Sequence, residues 1–98
     1  MNIQITSRKF KASESLKEYI TSEVNSLTKI YDTIMAAEVI LSYTHLKDSI
    51  KKVELIYQIP GKTLNVSEES DDFKKSVANA ISKAKRQIRK YKSIQIEH

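Results

Sequence analysis

Residues 52–67 run Lys52-Val53-Glu54-Leu55-Ile56-Tyr57-Gln58-Ile59-Pro60-Gly61-Lys62-Thr63-Leu64-Asn65-Val66-Ser67. Val53, Leu55, Tyr57 and Ile59 alternate with Lys52, Glu54, Ile56 and Gln58, the period of two of a half-buried strand. Pro60-Gly61 then supplies a tight turn. Proline presets φ at the first central position, and glycine accepts positive φ at the second. Lys62–Ser67 returns as the hairpin partner, with Leu64 and Val66 inward.

The same periodicities extend outward from this hairpin. Upstream, Glu38–Thr44 alternates, with Val39, Leu41 and Tyr43 on one side and Glu38, Ile40, Ser42 and Thr44 on the other. His45–Ile50 reads as the loop between these two strands. Earlier still, Leu16, Tyr19, Ile20, Val24, Leu27, Ile30 and Tyr31 recur at three- and four-residue steps. That stripe predicts a helix of about five turns ending near Tyr31, capped by Ser13 with Glu14 in its first turn. Arg8–Ala12 is a polar connection, and Asn2–Thr6 alternates as a short first strand. Downstream, Phe73, Val77, Ala80, Ile81, Ala84, Ile88 and Tyr91 form the stripe of a final helix from near Ser70 to about Tyr91.

The order is β-α-β-β-β-α. The first βαβ step calls for a parallel pair joined by a right-handed crossover, and the three later strands for an antiparallel meander. Each strand has one apolar face, so both helices are expected on one side of a four-stranded mixed sheet, an α+β fold. The other side stays wet, with Ile40 and Ile56 as its few apolar positions.

Ninety-eight residues make one domain, read here as 1–92 with 93–98 as a C-terminal tail. There is no cysteine, which excludes a disulfide framework, a cysteine-type zinc site and a thiol nucleophile and fits a reducing cytosol. His45 and His98 are the only histidines and have no second ligand at metal spacing. One glycine cannot make a phosphate-cradling loop. Asp71 and Asp72 are adjacent and do not face each other as a catalytic pair would, so a capping or dipole role fits them better. No Ser/His/Asp set is present in the pattern. These readings point to a protein that is not an enzyme and takes no metal, cofactor or small-molecule substrate. The N-terminal MNIQITSRKF lacks an apolar h-region, and no apolar run reaches the ~18–20 residues of a membrane span. Tyr19, Tyr31 and Tyr91 lie on apolar stripes and Tyr43 and Tyr57 on inward strand faces, so none forms an exposed base-stacking platform.

Charge distribution says more than the net value of +5. From Phe73 to Ile96 there is no acidic residue, while Lys74, Lys75, Lys83, Lys85, Arg86, Arg89, Lys90 and Lys92 all lie in that span. Just upstream are Glu68, Glu69, Asp71 and Asp72. A helix that only needs solubility mixes Glu with Lys at i,i+4 spacing. At 100° per residue, Lys75, Arg86, Arg89 and Lys90 fall opposite the apolar stripe, Lys83 at the edge of that group, and Lys74, Lys85 and Lys92 along one border of the core. A cationic ridge of this kind suits a polyanion, with RNA foremost. Arg8, Lys9 and Lys11 in the first loop, and Lys17 and Lys29 on the first helix, extend it if the two helices form a positive groove. An anionic membrane or an acidic protein partner is the alternative. Commitment of the apolar stripe to the sheet argues against membrane insertion.

The element order, the Pro60-Gly61 hairpin, the run Ser67-Glu68-Glu69-Ser70-Asp71-Asp72-Phe73 and the segment from Lys83 to Lys92 resemble the hibernation promoting factors, the family of ribosome-associated inhibitors and ribosomal subunit interface proteins. The family's last helix often begins after EESDDMYxAID and closes with KLxRQLxKxK. Asp71, Asp72, Lys83, Arg86, Gln87, Lys90 and Lys92 match, whereas Ala78 replaces the acid of AID and Lys75 and Ser76 replace small residues. The resemblance covers nearly the whole chain. It implies a cytoplasmic translation factor of starvation or stationary phase. Such factors bind 16S rRNA in the mRNA and tRNA channel of the small subunit and inhibit translation, on 30S or 70S particles. It further implies that Lys83, Arg86 and Lys90 contact the rRNA. The chain stops where long-form members continue into a dimer-forming domain, so it resembles the short form and is expected to be a monomer off the ribosome.

Overall fold

The computed structural model describes residues 1–43 and 50–96, with side chains as far as residue 91 in the last helix. Its elements are β1 (Asn2–Ser7), α1 (Glu14–Asn25), a 3-10 segment (Ser26–Lys29), β2 (Ala36–Tyr43), β3 (Lys51–Ile59), β4 (Lys62–Ser70) and α2 (Phe73–Ile96). The strands lie in the order β1-β2-β3-β4. β1 and β2 pair in parallel, and β2–β3 and β3–β4 are antiparallel. This is the expected β-α-β-β-β-α arrangement, a mixed sheet with both helices on one face.

Register shows how the core is assembled. Ile3, Ala37, Tyr57 and Leu64 form one row across the four strands, and Ile5, Val39, Leu55 and Val66 form the next. Onto these rows pack Ile20, Val24 and Leu27 from the first helical region and Phe73, Val77, Ala80, Ile81, Ala84 and Ile88 from α2, all buried. The two helices run the same way along the sheet. The Tyr19 hydroxyl of α1 donates to the Lys74 carbonyl at the head of α2 (3.4 Å), while the Tyr31 and Tyr91 rings meet edge-to-face at 6.0 Å near the far end. No helix among the described residues is long and apolar enough to cross a membrane.

Local chemistry sets the boundaries. Ser13 caps α1, its hydroxyl accepting from the Leu16 amide at 3.1 Å. The five-turn helix expected to reach Tyr31 instead tightens at Ser26, where the Ser26 and Thr28 hydroxyls donate to the Glu23 and Asn25 carbonyls. Such side-chain competition for backbone carbonyls favours a 3-10 ending. Gly61 has φ +77°, as the second central residue of a Pro-Gly turn requires. β4 runs three residues past its expected end, because Glu68, Glu69 and Ser70 pair with Val53, Lys52 and Lys51. α2 therefore begins at Phe73, not near Ser70, and the Asp72 carboxylate accepts from the Lys74 amide at 3.2 Å as its cap. The helix also continues past Tyr91 to Ile96, so most of the segment read as a tail is helical. Two side chains depart from their expected surroundings. Ile40, placed on the wet face, is only 8% exposed between its row neighbours Thr6 and Glu54. Tyr43, placed inward, is 42% exposed at its strand end, although its ring still meets Phe10 and Phe73. Thr44 and most of the loop read at His45–Ile50 lie outside the described residues, as does His98.

Two polar clasps fasten α2 to the sheet. Ser76, fully buried, donates to the Lys51 carbonyl at 2.8 Å and lies 2.6 Å from the Ser70 hydroxyl. Farther along, the buried Tyr57 hydroxyl donates to Gln87 Oε1 at 2.8 Å, and Gln87 Nε2 donates to the Asn65 carbonyl at 3.4 Å. Gln87→Ala removes the acceptor of a buried hydroxyl. It is expected to lower unfolding free energy by about 1–3 kcal/mol in urea denaturation. Burial also pushes the Tyr57 phenol up to about 12. The folded protein holds that proton more tightly than the unfolded chain, so its contribution is complete below pH 10 and is lost as the pH climbs toward 12. Stability of the parent should fall more steeply across that window than stability of Tyr57→Phe, as measured by urea midpoints from pH 9 to 12.

Candidate nucleic-acid interface

α2 buries its apolar stripe and turns its cations outward. Lys75, Lys83, Arg86, Arg89 and Lys90 are exposed and Lys85 is half-buried. At about 1.5 Å per residue, Lys75 and Lys90 stand roughly 22 Å apart along the axis. The ridge is therefore present as a surface feature, but it is less uniform than the sequence suggests.

Carboxylates from outside the acid-free span reach two of its members. Glu68 of β4 pairs with Lys83 at 3.2 Å, and Asp71 pairs with Lys75 at 3.7 Å one turn away. Glu68 arrives because the strand is longer than expected, and residues 64, 66 and 68 face the helices together. Both pairs are solvent-accessible, with the Lys83 side chain 50% exposed and that of Glu68 26%. Such pairs are worth at most about 1 kcal/mol and yield to salt or to a better anion. Arg86, Arg89 and Lys90 have no carboxylate at ion-pair distance among the described residues. The Lys74 ammonium sits 5.7 Å from the Tyr19 ring centroid, over the border between the helices.

The remaining cations divide between the two ends. Arg8 and Lys9 are exposed in the connection after β1. Phe10, next in the chain, stacks on Phe73 at 5.1 Å, which brings that connection to the head of α2 near Lys75. Lys9 adopts φ +65° there, a left-handed backbone uncommon for lysine. Lys29 is exposed in the 3-10 segment, at the end where Tyr31 meets Tyr91. Lys92 belongs to α2, but its side chain lies outside the described residues.

A uniformly positive groove between the helices does not form. α1 carries Glu14, Glu18 and Glu23 against a single Lys17, and Lys17 is drawn to Glu14 at 3.7 Å. The Tyr19 phenol facing α2 is raised by burial first and then by the negative charges of Glu23 and Asp72. The positive surface is thus the outer side of α2 and its flank toward β4. Sequence reading missed Ser76 and Gln87 as clasps, since a small polar residue on a helix carries no periodic signal. It also left Lys62 out of the basic surface, whereas the inward parity of residues 62, 64 and 66 sets it on the helix side of β4. No group of three His, Cys, Asp or Glu side chains suited to a metal occurs among the described residues.

Glu68→Gln releases Lys83 without disturbing the ladder. It is expected to raise affinity for a structured RNA by about two- to fivefold at low salt, a fraction of a kcal/mol as befits an exposed pair. The gain should fade at high salt in filter-binding titrations.

Residues 3–95 match the family model described as Sigma 54 modulation protein / S30EA ribosomal protein. Among curated relatives, the ribosome hibernation promoting factor of Azotobacter vinelandii is 25% identical over 97 residues, covering 99% of this chain and 88% of that protein. The ribosome hibernation promotion factor of Deinococcus radiodurans is 25% identical over 92% of this chain and 48% of its own length. Among solved structures, a ribosomal subunit interface protein from Coxiella burnetii superposes with a TM-score of 0.85 at 30% identity, over 95% of this chain and 99% of that one.

Proposed function

Because the chain belongs to the Sigma 54 modulation protein / S30EA ribosomal protein family, we propose that it is a cytoplasmic ribosome hibernation factor. It binds 16S rRNA in the mRNA and tRNA channel of the small subunit and silences translation under starvation or in stationary phase. It acts by occlusion, without catalysis. Its sites are the outward cations Arg86, Arg89 and Lys90, with Lys83, Lys75 and Lys85 beside them and Arg8, Lys9 and Lys29 at the two ends. Lys92 continues the same series along the chain.

The observation that carries this reading is the orientation of α2. Its apolar stripe is consumed by the sheet, and three cations without carboxylate partners among the described residues face water together. A folded RNA offers such a helix phosphates and shape more than base edges. The same burial leaves α2 no apolar face to lay on a lipid surface. Lys83 and Lys75 exchange weak intramolecular partners for phosphates, which are better anions. The names of the relatives support the ribosome as partner.

With about five phosphate contacts, the slope of log K against log salt is on the order of −3.5 to −4.5. Raising salt from about 50 to 200 mM should then weaken binding by roughly 100- to 500-fold, measured by cosedimentation with 30S and 70S particles. Replacing Arg86, Arg89 and Lys90 by glutamate is expected to flatten the slope by about 2–3 with circular dichroism unchanged. Salt-insensitive binding, or no binding at low salt, would reject the proposal.

A further inference from the structure

We propose that a second element of the fold joins the interface: Lys62, at the base of the Pro60-Gly61 hairpin, and Lys90 of α2 together clasp one phosphodiester of an RNA backbone in the recess between hairpin and helix. This rests on the RNA-binding reading above and extends it from the outer face of α2 to the β4 flank.

α2 runs antiparallel to β4, so their side chains meet in sequence. Lys83 reaches Glu68, Gln87 reaches the Asn65 carbonyl, and the Tyr91 hydroxyl approaches the Pro60 carbonyl at 3.5 Å. Lys83, Gln87 and Lys90 recur at steps of four and three and form one row along this flank. Opposite them stand Glu68, Leu64 and Lys62, which share the inward parity of β4. At one end of the row a lysine therefore meets a carboxylate. At the other, Lys90 and Lys62 line the same open recess of about 240 Å³ with Leu64, Gln87 and Tyr91, and none of its lining residues is acidic.

Two ammoniums flanking a recess without a carboxylate repel each other modestly, and an anion between them removes that repulsion. The other walls suit a phosphodiester. The Gln87 amide is held by Tyr57 through its oxygen, and one of its two N–H groups goes to Asn65, which leaves the second N–H for a phosphate oxygen. Leu64 and Tyr91 give an apolar floor against which a ribose can lie. The recess opens beside Lys90, so a strand lying on Arg86 and Arg89 reaches it without leaving the protein surface.

The test uses the full chain in two arms. In the first, Lys62→Glu is compared with Thr63→Glu, which adds a charge at the neighbouring position on the opposite face of β4. Lys62→Glu should lower affinity for 30S particles at least fivefold, and Lys62→Gln should flatten the salt slope by about 0.7–0.9. Thr63→Glu should stay within twofold of the parent. Equal effects of Lys62→Glu and Thr63→Glu would overturn the clasp and leave the ridge intact. In the second arm, 15N spectra are recorded with a ten-uridine RNA and, separately, with inorganic phosphate at matched phosphate concentration. RNA should move the Lys62 and Leu64 amides and the Gln87 side-chain signal, and inorganic phosphate should not. Unmoved signals with RNA, or equal shifts with phosphate alone, count against the clasp. Shifts with RNA in a protein that fails to sediment with ribosomes would keep the clasp and discard the ribosomal target.

Discussion

The seating of α2 on the sheet governs the rest of the molecule. The sheet has one strongly apolar face and α2 has one apolar stripe, and each needs the other to leave water. Turning the helix by one residue, about 100°, would bring a lysine toward Leu55 and expose Ile81 or Ile88. Hydrophobic burial is not directional, however, and a smooth stripe tolerates some sliding. The polar clasps remove that freedom. Ser76 fixes the head of the helix to β3, and Gln87 fixes its later turns to Tyr57 and to the backbone of β4. The Ser76 and Tyr57–Gln87 bonds are partly buried, and their loss leaves a buried hydroxyl unsatisfied, so slippage is costly. The outward direction of Arg86, Arg89 and Lys90 follows from bonds made on the opposite side of the same helix.

Electrostatic asymmetry is built onto this rigid frame. α1 and α2 lie side by side, yet α1 carries three carboxylates and α2 none. The molecule therefore has an acidic flank along α1 and a basic one from the outer side of α2 to β4. Such a field orients a protein before contact, because one approach to a polyanion is attractive and another is not. Glu68 and Asp71 temper the basic flank without erasing it.

Much of this was readable from the chain. Alternation in 52–67, broken only by Ile56, and the lone Pro-Gly pair marked the hairpin, and the stripes of α1 and α2 marked their inner faces. The cation-rich outer side of α2 followed from winding alone. What escaped has definite causes. Glu68-Glu69-Ser70 resembles a helix entry because acids and serine favour one, but ladder bonds to Lys51, Lys52 and Val53 claimed the segment for β4. That single extension also hid the partner of Lys83, since the acid lies fifteen residues away and meets it only through the fold. Ser76 and Gln87 gave no periodic signal, and their roles exist only once β3 and β4 stand beneath α2. The shortened α1 turned on serine and threonine hydroxyls reaching back to carbonyls, a competition that apolar spacing does not report.

The parallel pairing of β1 with β2 has a consequence for how the chain assembles during synthesis. Asn2–Ser7 is made before its hydrogen-bonding partner Ala36–Tyr43, with a whole helix in between. The meander of β2, β3 and β4 can zip locally as it appears, because few residues separate each strand from the next. Its apolar side has only Ile20, Val24 and Leu27 of the first helical region to cover it until α2 packs beside them. The fold thus stays open until its most basic segment packs and closes it.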